Sequence, residues 1–142
     1  MKFSTIPRVT QAPSYLVEVS WAELDRYLDR YRTNEEYGLD LDPDFQREHV
    51  WTEAQQIAYV EAKLRGVASG ADILFNCAGW MNDFSGMLQL VDGKQRLTAV
   101  LRFLHDELRA FGFLRSEFED KLGASRPTFR VQVNDLPTRA SV

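Results

Sequence analysis

The run Met87-Leu88-Gln89-Leu90-Val91 has the length and apolar content of a strand, while Leu97, Val100, Leu101, Leu104 and Leu108 share one face of a helix, with Arg102 and Asp106 off it. Asp92-Gly93 separates the two patterns. A strand that passes through so short a turn into an amphipathic helix constrains the chain more than any other feature. Both elements have apolar faces to bury, and the layered solution is a helix packed on a sheet. Glycine suits the turn because it reaches backbone angles closed to other residues.

The rest of the chain supplies partners for that unit. Tyr15-Leu16-Val17-Glu18-Val19 reads as a short strand. Ser20 and Glu23 then have capping-box spacing, opening a helix whose buried stripe is Trp21, Leu24, Leu28 and Tyr31. Thr33-Asn34-Glu35-Glu36 ends it, and Leu39-Asp40-Leu41 alternates as an extended segment before Pro43. Thr52 with Gln55 is a second capping box, followed by Ile57, Val60 and Leu64 at helical spacing until Gly66. Ile73-Leu74-Phe75 is expected to pair with the 87–91 run across a polar, glycine-bearing loop. Ser116 and Glu119 suggest a short helix, and Phe129-Arg130-Val131-Gln132-Val133 alternates as a half-buried strand.

No repeat, low-complexity tract or long linker interrupts these elements. At 142 residues, with 44% hydrophobic and 27% charged, the chain fits one domain over 1–142, with 1–14 and 134–142 as tails. The expected fold class is α+β, a small mixed sheet packed with several helices. These patterns do not specify strand order.

Charge and cysteine content narrow the function classes. A net charge of -4 and a pI near 5.2 oppose a uniformly basic duplex-DNA clamp, though they leave room for a local cationic site. Cys77 is the only cysteine, so an intrachain disulfide is excluded, and it lacks the companion ligands of a structural zinc site. No segment has the length of a membrane span and the N-terminus lacks a signal-peptide pattern, so a cytoplasmic protein is expected.

The chemistry is concentrated at the turn. A helix start attracts anions through its N–H groups and dipole, and Lys94 and Arg96 add two cations there. Asp92 would repel an anion unless it held a divalent ion or fixed an arginine, which points to a metal shared with phosphate oxygens. Neither a Walker-A loop nor a G-x-G-x-x-G fingerprint is present. Spacing alone also accommodates an ordinary turn, with Lys94 and Gln95 solvated and Arg96 paired to a carboxylate.

A second constellation, Phe45-Gln46-Arg47 with His49 and Trp51 close behind, lies on a loop entering a helix. Arg47 can fork onto phosphate and Gln46 can read an amide, base edge or ribose, or both can satisfy backbone groups while Phe45, Val50 and Trp51 anchor the loop. His49 is the better acid–base candidate of the two histidines. His105 is expected to face solvent or a local carboxylate, Cys77 to be a small core residue, and Asn82-Asp83 to end a loop.

Taken together and in order, Pro43-x-Phe45-Gln46-Arg47-x-x-Val50-Trp51 and Asp92-Gly93-Lys94-Gln95-Arg96-Leu97-Thr98-Ala99 resemble the ParB/sulfiredoxin-like superfamily. The best match is its DGQQR-motif branch, found in the S part of GmrSD-type modification-dependent restriction systems. The resemblance runs from about Tyr15 to Gly112. It implies a compact α+β domain whose motif loop binds a nucleoside triphosphate or nucleic-acid phosphate, with Mg²⁺ as cofactor and hydrolysis linked to DNA restriction in the full systems.

By position, Asp92, Gly93, Gln95 and Arg96 carry over from the motif, and Gln46 and Arg47 from the upstream pair. Asp92, Gln95 and Arg96 form the expected catalytic set, with Asp92 also the metal position. Gln46, Arg47, Gly93, Lys94, Arg96 and Thr98 form the expected phosphate and nucleotide contacts. Lys94 stands where the family pattern has glutamine, no histidine-rich nuclease segment is present, and the motif loop lacks the cysteine of the redox-repair relatives. The partners expected are a nucleotide, DNA, or a nuclease or other defence protein. The rival expectations are a non-catalytic phage or mobile-element protein that regulates a defence complex, and a ParB-like DNA-binding or nicking domain.

Overall fold

In the segment Thr128–Asn134, Phe129, Val131 and Val133 are buried while Arg130 and Gln132 are exposed, the alternation expected of a strand with one wet face. The computed structural model describes residues 2, 5, 14–32, 37–41, 50–77, 86–122 and 127–134. The expected terminal tails lie outside these apart from residues 2, 5, 14 and 134.

The strands are β1 (Ser14–Ser20), β2 (Tyr37–Asp40), β3 (Asp72–Asn76), β4 (Gly86–Asp92) and β5 (Thr128–Asn134). They form one five-stranded sheet in the order β1-β5-β3-β4-β2. The β1/β5 and β3/β4 pairs are antiparallel, and β3/β5 and β2/β4 are parallel. Register places Val17 beside Val131, Val131 beside Ile73, Val133 beside Phe75, Phe75 beside Leu90 and Leu88 beside Leu39. Spaced two apart along their strands, Val131 and Val133, Ile73 and Phe75, and Leu88 and Leu90 share one apolar face of the sheet.

That face carries the core, with α1 (Leu24–Arg32), α2 (Glu53–Leu64) and α3 (Lys94–Leu104) as the helices among the described residues. Trp21, Leu24, Leu28, Val60, Val100 and Phe103 join the buried strand residues in a single cluster. The described residues therefore form a small α+β domain, one mixed sheet with three helices. Cys77 is fully buried in the cluster, as expected of a small core residue.

Three local expectations need correction. The Ser20–Glu23 capping box does not form: Trp21–Glu23 is a 3-10 turn, Ser20 makes no side-chain cap bond, and its buried hydroxyl has no partner among the described residues. The backbone N–H of Trp21 instead bonds to the Pro127 carbonyl at 2.9 Å, and its ring packs 6.1 Å from Phe129, so tertiary anchoring sets the start of α1. In α2 the buried positions are Gln56, Val60 and Lys63, while Ile57 and Leu64 are only partly covered. The segment after α3 is not helical at Leu108, which nonetheless reaches the core, and Ser116–Glu119 yields only the 3-10 turn Arg115–Glu117.

Candidate functional site

The turn after β4 is built on a close approach. Gly93 is buried at φ +100°, and a Cβ there would stand 2.6 Å from Ile73 Cδ1 and 3.1 Å from the Asp72 carbonyl oxygen. Only glycine provides both the left-handed backbone and the room. The β3/β4 ladder slips by one residue just before it, pairing Leu74 with Asp92 but Phe75 with Leu90. A bulge of this kind bends a strand end and re-aims the residues beyond it.

The helix that begins at Lys94 differs electrostatically from the other two described helices. The first turn of α1 contains Asp25 and that of α2 contains Glu53, whereas α3 has no acid in its first turn. It has Lys94 and Arg96, and its N-cap, Gly93, offers no side-chain cap. Cations at a helix N-terminus oppose the dipole, at a cost of roughly 0.3–1 kcal/mol each at an exposed position. Asp92, the last residue of β4, is exposed beside them.

The side chains of the motif hold neighbouring segments. Gln95 is 7% exposed, and its Oε1 accepts the backbone N–H of Trp51 at 2.9 Å. Arg96 Nη1 donates to the Asp72 carbonyl at 2.9 Å, beside the Gly93 approach. Thr98 is half-buried one turn into α3.

Two residues of α2 complete the surroundings of Arg96. Tyr59 donates its hydroxyl to the Gly70 carbonyl at 2.5 Å, and Lys63 donates to the carbonyls of Val67 at 2.8 Å and of Ser69. Burial pushes the Tyr59 hydroxyl well above the usual tyrosine range, with Arg96 opposing and Asp72 adding to the rise. Burial also lowers the Lys63 ammonium, Arg96 lowers it further, and Asp72 opposes. Arg96, Tyr59 and Lys63 thus gather the carbonyls of the 67–72 segment.

The structure therefore places Asp92 and Gly93 at the junction of β4 and α3, Lys94, Gln95 and Arg96 in the first turn of α3, and Thr98 one turn further on. Gln46, Arg47 and His49 lie outside the described residues, as do Asn82 and Asp83. Tyr59 and Lys63 went unread in the sequence because polar members of an apolar stripe look like its solvated flank. Their only signal was position, Lys63 falling seven residues after the buried Gln56 and three after Val60. His105 meets a carboxylate, as expected, with Nε2 2.8 Å from Asp25 Oδ1.

Among the described residues no three His, Cys, Asp or Glu side chains form a metal-ligand cluster. A divalent ion at the turn would rely on Asp92 and on the ligand's own phosphate oxygens, a pattern that magnesium accepts. An open groove, lined in part by Lys63, Arg65, Asp72, Arg115 and Arg130, runs along the 65–72 segment, but neither Asp92 nor Arg96 lines it. The turn adjoins that groove at Asp72, whose carbonyl accepts from Arg96. No helix among the described residues is long and apolar enough to cross a membrane.

No curated protein matches the chain. No solved structure matches it either. Residues 24–137 match the family described as GmrSD restriction endonuclease, N-terminal domain. That span covers α1 through β5 and includes the whole Asp92–Arg96 turn; the chain belongs to the GmrSD N-terminal domain family, which links it to restriction and defence systems.

Proposed function

We propose that this domain binds a nucleoside triphosphate at the Asp92–Arg96 turn, in service of a restriction or defence system. The observation that carries the reading is the inverted charge of α3: two cations and no acid in the first turn, behind an N-cap that supplies no side chain. An anion seated there relieves the repulsion between Lys94, Arg96 and the helix dipole, and meets N–H groups that no carbonyl of the same helix can reach.

Each motif residue has a role in this reading. Gly93 lets the turn close onto Asp72 and Ile73 of β3 and so sets the start of α3 at the phosphate, whose charge Arg96 and Lys94 neutralise. Thr98 adds a hydroxyl one turn along. Asp92 would hold Mg²⁺, which when bound supplies charge neutralisation to the phosphate oxygens. Gln95 has its acceptor oxygen on Trp51, so it acts by fixing the segment before α2 against the turn. Gln46 and Arg47 belong to the chain just before that segment, and as the upstream pair of the motif they are assigned to ligand contact.

Calorimetric titration of the purified chain with each triphosphate and Mg²⁺ tests the reading. Arg96→Ala should weaken binding by about 2 kcal/mol or more, roughly thirtyfold, as expected for loss of a charged phosphate contact. Circular dichroism of the variant controls for its bond to the Asp72 carbonyl. Unchanged affinity in a folded Arg96→Ala would sink the assignment. Phosphate release then separates binding from hydrolysis: turnover lost in Asp92→Ala marks a hydrolase, and none in the wild type marks a domain that binds without cleaving.

A further inference from the structure

Trp51 stands just before the Thr52 cap of α2, tied by its backbone N–H to Gln95 within the motif. Its ring lies 5.5 Å from that of Tyr59, tilted by 54°. A Cβ at Gly70 would stand 3.7 Å from Tyr59 Cε1 and 4.0 Å from Arg96 Nε, so the tyrosine ring and the arginine flank the same glycine. An aromatic pair and the principal cation of the turn therefore adjoin one another. Neither ring is sealed in the core: Trp51 and Tyr59 are half-buried, whereas Trp21 is 1% exposed.

From this juxtaposition we infer that Trp51 stacks on the base of the bound nucleotide, with Tyr59 bracing the indole. The inference rests on the phosphate reading of the Asp92–Arg96 turn and deepens it. It makes the ligand a nucleoside phosphate and not a bare polyphosphate. It also makes recognition of the base weakly selective, since every base presents a π face and stacking discriminates poorly among them.

The test titrates the full chain, with Mg²⁺, against ATP, CTP, GTP, UTP and inorganic tripolyphosphate. Wild type should bind the four nucleotides within a few-fold of one another and roughly tenfold or more tighter than tripolyphosphate, the range one stacked base contributes. Trp51→Leu should bring the nucleotides down to the tripolyphosphate level and leave tripolyphosphate unchanged, while Trp51→Phe keeps the preference. Indole fluorescence supplies a second readout that does not depend on the leucine variant folding: nucleotides should quench wild type but not Trp51→Phe, and tripolyphosphate should quench neither. Equal affinity of wild type for nucleotides and tripolyphosphate, or quenching that persists in Trp51→Phe, overturns the stacking assignment and leaves the phosphate site standing. Failure of all five ligands to bind wild type overturns both.

Discussion

The two helix starts that meet at Trp51 and Gln95 are finished in opposite ways. At α2 the sequence closes its own terminus: Thr52 Oγ1 accepts from Gln55 N at 3.2 Å and Gln55 Oε1 accepts from Thr52 N at 2.8 Å, with Glu53 in the first turn. At α3 the cap is a left-handed glycine with no side chain, the first turn has no acid, and two cations occupy it. The first arrangement completes the helix with groups of the chain itself. The second gives up that stabilisation and sets two cations at the positive end of the helix dipole. A helix terminus that lacks its usual acid and cap is a stronger pointer to an anion site than a terminus alone.

The contrast can be broken experimentally, and the largest effect is expected at Gly93. Gly93→Ala combines a positive φ with a 2.6 Å clash against Ile73 and should cost about 2 kcal/mol or more, read as a lower urea midpoint. Gly66→Ala is the control, because Gly66 has φ +94° but nothing within 4 Å of a Cβ, and should cost only about 1 kcal/mol. Equal losses would show that the close approach to β3 contributes nothing beyond backbone strain.

Thr52→Ala comes next. Loss of the α2 cap should cost about 1 kcal/mol of stability and leave triphosphate affinity as it was. A parallel fall in affinity would mean that the two termini do not divide between structure and binding in this way.

The smallest effect is expected at the far end of α3. Hydrogen bonds from the backbone and side chain of Ser116 hold the exposed Asp106 carboxyl below its usual range, with Arg115 adding to the shift. A depressed carboxyl contributes stability that is present above its unfolded value and lost as pH falls through its folded one. Asp106→Asn should therefore lower neutral stability slightly, flatten the acid side of the stability–pH curve, and leave binding unchanged. A loss of affinity would extend the site beyond the first turn of the helix.

Much of this was legible in the chain because it is local. The β4–turn–α3 unit, the Thr52 box, the alternation of β5 and the glycine of the turn each depend on residues within one or two turns of one another. Expectation failed where a distant partner overrode the local signal. Ser20 has the chemistry of a cap, but Trp21 is drawn to Pro127 and Phe129 from the other end of the sequence. Lys63 looks like a solvated lysine, but its ammonium is turned onto the loop after its own helix.

By itself the sequence determined the elements, the glycine at the turn and the cations just after it, since period, cap and turn preferences are set by near neighbours. Only the tertiary structure decided the strand order, which lays the Asp72 carbonyl under Arg96, and the meeting of α2 with α3, which brings Trp51 onto Gln95 and Tyr59 beside the arginine. Those contacts join residues 24 and 44 positions apart. No local preference encodes such a pairing; burial of one shared apolar face of the sheet does.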